Sequence, residues 1–172
     1  MLPNELVTDA FDRVKGIVHK TVDGLSVKEL TFRPSESANS IAWLVWHLTR
    51  IQDDHMAALA SAKQVWVEGW YQKFALPFKE SETGYGHSSN DVAAVKSSSK
   101  LLIDYYDAVH ESTIKYINGL KAEDYQKIVD KRWDPPVTLA ARLISVISDD
   151  LQHAGQAAYI RGLIQSNTFS LD

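Results

Sequence analysis

The chain has 172 residues, of which 45% are hydrophobic and 23% charged, and it contains no cysteine. This length is sufficient to bury a core without disulfides, and we expect residues 1–172 to form a single domain. Without cysteine, any metal site must be built from His, Asp and Glu. The 18 basic and 22 acidic residues give a net charge of −4 without a basic cluster, which argues against nucleic acid as a partner.

The sequence gives no sign of membrane insertion or export. No apolar run approaches the ~20 residues that a transmembrane helix needs. The N-terminal string MLPNELVTDAFDRVKG has acids and a proline where a secretion signal has a basic start and an apolar core. We therefore expect a cytoplasmic protein with no membrane partner.

The first half of the chain contains two helical patterns. Apolar residues recur every three to four positions over about 4–24, which predicts an amphipathic first helix. Ser40 or Asn39 is placed to cap a second helix over the string IAWLVWHLTRIQDDHMAALA. From about 61 to 90, glycines and prolines interrupt an aromatic-rich stretch, and we expect a long crossover with short helical pieces.

Two further helices are predicted in the second half. Asn90 or Ser89 caps a third helix that continues to Asn118. The fourth helix follows the Pro-Pro pair at 135–136, because prolines can precede a helix but cannot lie inside it, and it is expected to span about 137–164. No segment has a convincing strand pattern. The sequence therefore predicts an all-α fold, a four-helix bundle with long crossover connections.

Three residues on these helices are candidate metal ligands. Asp149 and His153 are four positions apart, so both side chains lie on one face of the fourth helix. His47 lies in an apolar stretch of the second helix, so its imidazole is expected to face inward. Three such ligands leave open positions for water or substrate and suit Zn, Ni, Mn, Fe or Co. Spacing alone leaves two other interpretations open, an exposed Asp-His pair and a hydrogen-bonded core histidine.

Four strings carry a resemblance to a known family: NSIAWLVWHLTRIQDDH, TGYGH, RWDPPVTL and SDDLQHAGQAAYIRGL. Over nearly the whole chain the sequence resembles the DinB-like superfamily, and most closely its branch of mycothiol transferases and thiol-dependent maleylpyruvate isomerases. The resemblance implies a four-helix bundle with a metal bound by the second and fourth helices. His47 and His153 match the family's histidine positions, whereas Asp149 stands where relatives have His or Glu.

The resemblance also implies an activity. It implies a divalent-metal-dependent thiol S-transferase or isomerase in which a low-molecular-weight thiol such as mycothiol attacks an electrophilic substrate. Zn, Ni or Mn is the implied ion, and a homodimer is the implied assembly. Two alternatives remain open: a hydrolase in which the metal activates water and Asp54 or Asp150 is the base, and a non-enzymatic, stress-associated dimeric bundle.

Asp54, His55 and Gln156 are the candidate catalytic residues around the metal ligands. Asp54 lies seven positions after His47 and close to its face, where it can act as a base or accept a hydrogen bond from an imidazole. His55 flanks this face. Gln156, three positions after His153, can hydrogen-bond a bound water or substrate.

Four other polar residues have alternative interpretations. Arg142 points to the same seam as the metal ligands and, if buried, needs either an internal acid or a substrate carboxylate as partner. His87 is a candidate lid residue in the TGYGH loop. Asp150 is expected near the site or on the surface, and Asp53 is expected to be solvated.

Overall fold

The computed structural model describes residues 2–166. The helices are α1 (Pro3–Val22), α2 (Val27–Thr31), α3 (Ile41–Ala60), α4 (Trp70–Phe74), α5 (Ser89–Ala94), α6 (Ser99–Asn118) and α7 (Leu139–Gln165), and the strands are β1 (Ile128–Asp130) and β2 (Val137–Thr138). Helices α1, α3, α6 and α7 pack as a four-helix bundle, with α1 and α3 each contacting both α6 and α7. The predicted bundle fold is confirmed.

Helix α3 is the central helix of the bundle. Its side chains are all buried from Ile41 to Arg50, and its apolar residues contribute to the main core cluster between the helices. The Ser40 hydroxyl accepts a hydrogen bond from the Trp43 amide at 3.2 Å, which satisfies one of the free N–H groups at the helix start. Ser40, one of the two predicted caps, therefore fixes the beginning of α3.

The predicted third helix is two helices. Residues 95–98 separate α5 from α6, and the Val95 side chain in this break is buried in the core. Ser88 caps α5 and Ser98 caps α6, each accepting a hydrogen bond from a backbone amide of the first turn. The prediction of a continuous helix capped at Ser89 or Asn90 was therefore wrong, because the buried Val95 interrupts the helix and Ser98 caps a new one after it.

Helix α7 begins directly after a short sheet that the sequence did not indicate. Ile128 pairs with Thr138 and Asp130 with Val137 in an antiparallel ladder. The Thr138 hydroxyl then accepts a hydrogen bond from the Ala141 amide at 3.2 Å and caps α7. Strands of two and three residues are too short to produce an alternating pattern, but this sheet places Asp130 beside the first turns of α7.

The crossover between α3 and α5 is attached to α3 by a buried carboxylate. Asp53 is 3% exposed and accepts hydrogen bonds from the amides of Val65 and Trp66 and from the hydroxyl of Tyr105, at 2.8, 2.8 and 2.9 Å. The expectation that Asp53 is solvated was wrong, because the loop supplies donors that helical spacing alone cannot indicate. Within residues 2–166, no helix is long and apolar enough to cross a bilayer.

Candidate metal centre

Helices α3 and α7 bring the three predicted metal ligands together. His47, Asp149 and His153 each offer one ligand atom, and these three atoms lie within 4.8 Å of one another. Nε2 of His153 lies 3.6 Å from Oδ1 of Asp149, and the two imidazole rings have their centroids 4.9 Å apart. Small side-chain rotations bring such atoms to the distances of about 2.0–2.2 Å that nitrogen and oxygen ligands take around Zn²⁺.

Hydrogen bonds fix the tautomer of both histidines. Nδ1 of His47 lies 2.6 Å from the carbonyl oxygen of Thr83, and because a carbonyl can only accept, Nδ1 carries the proton. Nδ1 of His153 donates in the same way to the side-chain oxygen of Gln156 at 3.1 Å. Each ring therefore keeps a lone pair on Nε2, the arrangement found in histidines that bind metal.

The surroundings keep the His47 ring neutral and leave Asp149 short of partners. Burial lowers the pKa of His47 below its usual 6.5, although the hydrogen bond to Thr83 partly opposes this effect. Oδ2 of Asp149 is buried and has no hydrogen-bond partner within residues 2–166. A neutral imidazole and a carboxylate oxygen without a hydrogen-bond partner can both coordinate a divalent cation. This set of residues therefore fits a metal ion.

The loop beside His47 requires a glycine. Gly84 has a φ of +97°, and a Cβ atom there would lie 2.8 Å from Nδ1 of His47 and 3.0 Å from the Trp46 ring. Only glycine allows this close approach, which lets the preceding Thr83 carbonyl reach the imidazole. Gly84 lies in the TGYGH string, but nothing in the sequence indicates this close approach to His47.

His87 is held inside an aromatic cluster. Its Nδ1 accepts a hydrogen bond from the Trp43 indole N–H at 3.1 Å, and its ring stacks on Trp46 with 5.7 Å between centroids. The side chain is 6% exposed. His87 is therefore a packed residue beside the metal ligands and not an exposed lid.

Two of the candidate catalytic residues line a cavity beside α3 and α7. His55 and Asp54 both line a cavity of about 550 Å³ between α3, α7 and the β1–β2 connection. Oδ1 of Asp54 accepts a hydrogen bond from Gln64 at 2.7 Å, so its partner is an amide and not an imidazole. Burial lowers the pKa of His55, helped by the charge of Arg142 and opposed by Asp54 and Asp149.

Gln156, the third candidate catalytic residue, orients the His153 ring through the hydrogen bond to Nδ1. Asp150 is fully buried, which excludes the surface, one of the two positions expected for it. Neither of its oxygens has a hydrogen-bond partner within the described part of the chain, and burial raises its pKa well above the usual value. Arg142 has the internal acid that sequence analysis considered, because it donates to Asp130 at 2.9 Å.

Known proteins resemble the chain in sequence and in fold. The profile of the Mycothiol-S-transferase family matches residues 6–166. A solved structure described as "Crystal structure of the conserved protein of locus from Enterococcus faecalis" is 32% identical and has a TM-score of 0.89, covering 97% of this chain and 99% of that chain. No curated protein matches the chain. Since the family match includes all four bundle helices and all three candidate ligands, the chain belongs to the DinB-like family of mycothiol S-transferases.

Proposed function

We propose that this protein is a divalent-metal-dependent S-transferase that joins a low-molecular-weight thiol to an electrophilic substrate. The observation that carries the proposal is the convergence of two histidines and one carboxylate, with both Nδ1 atoms already engaged in hydrogen bonds. Membership of the mycothiol S-transferase family supports a thiol as co-substrate. Mycothiol is the thiol to test first, and Zn, Ni and Mn are the ions to test first.

The charge of the ligand set suits this chemistry. A divalent ion bound there would lower the pKa of a thiol, so that the nucleophilic thiolate is present at neutral pH. His47 and His153 contribute no charge and Asp149 contributes one negative charge, which leaves excess positive charge to favour a thiolate. The Thr83 and Gln156 hydrogen bonds hold both imidazoles in the binding tautomer, so little reorganisation is needed.

We propose that His55 accepts the proton that the thiol loses. Its imidazole makes no hydrogen bond within residues 2–166, and its lowered pKa leaves this ring neutral and able to accept a proton. As the sulfur–carbon bond forms, the leaving group departs with the bonding electron pair and takes the proton back from His55. Asp54 lines the same cavity and raises the proton affinity of this imidazole through its charge. Gln156 acts through His153 as a positioning residue.

Metal analysis tests the site itself. Protein purified without added metal is compared with His47→Ala and Asp149→Ala, and with His110→Ala as a matched control. His110 is also a buried histidine, but it pairs with Asp12 at 2.9 Å on another face of the bundle. We expect stoichiometric metal in wild type and His110→Ala and its loss in the other two. Equal, substoichiometric metal in all four proteins would refute a specific site.

Activity assays test the reaction. The metal-loaded protein is incubated with mycothiol, N-acetylcysteine or glutathione and chlorodinitrobenzene, and separately with an ester panel without thiol. We expect thiol-dependent conjugation that disappears in His47→Ala. Turnover of esters alone would replace the transferase proposal with the hydrolase alternative.

We also propose that the protein forms a homodimer through one face of α7. Ile144, Leu151 and Tyr159 on this helix are 62%, 41% and 69% exposed, an unusual amount of apolar surface for a bundle helix. Light scattering should give a dimer mass for wild type and a monomer mass for Leu151→Glu. A monomeric wild type would rule out this assembly.

A further inference from the structure

A cationic cavity is lined by residues of α3 and α7, the two helices that carry the metal ligands. Its volume is about 550 Å³, within the range of about 300–1,000 Å³ that is typical of small-molecule sites. His55 lines it from α3, Arg142 from α7, and Lys131 and Arg132 from the β1–β2 connection. The cavity and the metal centre share α7, because Arg142 lies on this helix two turns before the ligand Asp149.

Arg142 has unused hydrogen-bond donors in this cavity. Its Nη2 donates to Oδ2 of Asp130 at 2.9 Å, and its side chain is 18% exposed. Its Nε and Nη1 make no hydrogen bond within residues 2–166. Because a guanidinium has five N–H donors arranged as a fork, the free edge matches the two oxygens of a carboxylate.

The charge of the cavity favours an anion. Three cationic side chains, Lys131, Arg132 and Arg142, face two carboxylates, Asp54 and Asp130. Both carboxylates already have partners, since Asp54 accepts from Gln64 and Asp130 accepts from both arginines. The local excess of positive charge contrasts with the net charge of −4 on the whole chain. Asp54 keeps its charge, because its partner Gln64 is a neutral amide, but the three cations outnumber the two carboxylates and a small anion entering this cavity meets the free donors of Arg142.

We propose that this cavity binds the carboxylate of a small molecule whose other end reacts at the metal centre. Arg142 is the principal contact, and neutral His55 contributes an N–H. Asp149 lies seven positions after Arg142 on α7, about 10 Å along the axis, a distance that an extended chain of about eight bonds can span. The inference rests on the proposed function, and it adds that one of the two reactants is a carboxylic acid.

The carboxylate has two possible sources, the electrophile and the thiol. There is also a purely structural alternative, in which Arg142 serves only to attach the β1–β2 connection to α7 through Asp130. The structural alternative predicts effects of Arg142→Gln and Asp130→Asn in the same direction, because either change breaks this ion pair, although Asp130→Asn also weakens the pairing with Arg132. A carboxylate site predicts opposite effects, because Asp130→Asn leaves the guanidinium in place with more of its donors free.

The first experiment is calorimetry on metal-free protein with a matched pair of electrophiles, chloronitrobenzoate and chloronitrobenzamide, without thiol. We expect wild type to bind the benzoate at least about 10-fold more tightly than the amide. Arg142→Gln should abolish this preference, and Asp130→Asn should keep or increase it. Arg161→Gln is the matched control, because Arg161 is another α7 arginine but donates to backbone carbonyls at the opposite end of the helix.

The second experiment identifies the source in the metal-loaded enzyme. The same electrophile pair is crossed with N-acetylcysteine and its amide, and KM is measured for wild type and Arg142→Gln. If the electrophile carries the carboxylate, Arg142→Gln raises KM for the benzoate alone. If the thiol carries the carboxylate, Arg142→Gln raises KM for N-acetylcysteine alone. Calorimetry on wild type should then show tighter binding of N-acetylcysteine than of its amide. Equal KM changes for acids and amides would overturn the proposal.

Folding defects and a failure of the transferase proposal can both be recognised. Arg142→Lys keeps the charge opposite Asp130 but loses the planar fork, so it should retain the wild-type melting temperature and lose about 10-fold in carboxylate affinity. If no thiol is transferred at all, the proposed function fails while metal-free calorimetry still tests the cavity. Equal binding of acids and amides by wild type, for both the electrophile and the thiol pair, would refute the carboxylate site whatever the activity.

Discussion

The Nδ1–H of His47 donates a 2.6 Å hydrogen bond to the carbonyl oxygen of Thr83, and this contact joins a ligand on α3 to the crossover that follows the helix. The crossover thereby determines which nitrogen of the imidazole is free. Metal affinity should for this reason depend on loop residues that do not touch the ion themselves.

Gly84→Ala should weaken metal binding by about 10–100-fold, the usual effect of disturbing a hydrogen bond behind a ligand. The new Cβ would lie 2.8 Å from Nδ1 of His47 and would displace either the ring or the Thr83 carbonyl. Gly86→Ala is the control, because Gly86 also has a positive φ, +77°, but nothing lies within 4 Å of an added Cβ. Competition with a chelator measures both affinities, and equal losses would show that backbone strain and not the clash is responsible.

Asp149 can be tested by two substitutions that separate charge from length. Asp149→Asn keeps the size but removes the negative charge, and should lower metal affinity by more than about 100-fold, beyond the range for residues behind a ligand. Asp149→Glu adds one methylene and keeps the charge. We expect this variant to retain the metal affinity within about 10-fold, since the longer side chain can bend so that its carboxylate stays near His153. Chelator competition with Zn²⁺ measures both, and wild-type affinity in Asp149→Asn would exclude this carboxylate as a ligand.

Asp150→Asn should stabilise the protein increasingly as the pH rises above about 4. Burial raises the folded-state pKa of Asp150 well above its unfolded value, so the folded state binds more protons and loses stability as the pH rises toward the folded pKa. The amide cannot ionise, and each pKa unit of difference corresponds to about 1.4 kcal/mol. Urea unfolding from pH 4 to 8 measures the free energy of unfolding of both proteins.

A constant difference across this pH range would contradict the prediction. Asp9→Asn provides a control of opposite sign, because the hydrogen bond from Arg13 lowers the pKa of exposed Asp9. Its wild-type carboxylate contributes stability above the unfolded pKa that is lost at acidic pH, so this variant should be slightly less stable than wild type at neutral pH and equal to it at low pH.

The helix starts were predicted best where a capping residue directly precedes a strongly apolar segment that is buried in the core. Ser40 and Thr138 begin helices that are also strongly apolar, and both starts were predicted within one or two residues. The break after Ala94 was missed because its cause is not local. The buried side chain of Val95 stabilises the extended connection, while the serines that follow fit a helix or a cap equally well.

The residues of the metal centre also fall into two groups, those that the sequence indicates and those that it does not. Helical spacing could place Asp149 beside His153, and an inward-facing His47 follows from its apolar neighbours. Helical spacing could not indicate Thr83 or Gly84. Thr83 contributes the position of its backbone carbonyl, and Gly84 contributes the space left by its missing side chain. Residues of this kind become visible only when the loop is placed against the helix.

Arg50 connects the fold of the crossover to the geometry of the metal ligands. Its side chain is fully buried and stacks 4.8 Å from the Trp66 ring. It donates to the carbonyl oxygen of Glu82 at 3.2 Å, one residue before the Thr83 carbonyl that holds His47. It also lies 3.7 Å from the carboxylate of Asp53 and compensates for the burial of that charge.

Arg50→Met should therefore destabilise the protein by about 3–5 kcal/mol, because it leaves the Asp53 carboxylate buried without its cation. Arg13→Met is the matched control, since Arg13 pairs with Asp9 at the surface, where solvent screens the pair, and its loss should change the stability much less. Urea unfolding followed by tryptophan fluorescence measures both changes. Arg50→Met should lower the metal affinity as well as the stability, because the Glu82 carbonyl loses its donor and Thr83 is no longer held against His47. Arg13→Met should leave the metal affinity unchanged. A variant that loses stability but keeps wild-type metal affinity would show that the crossover positions Thr83 without Arg50.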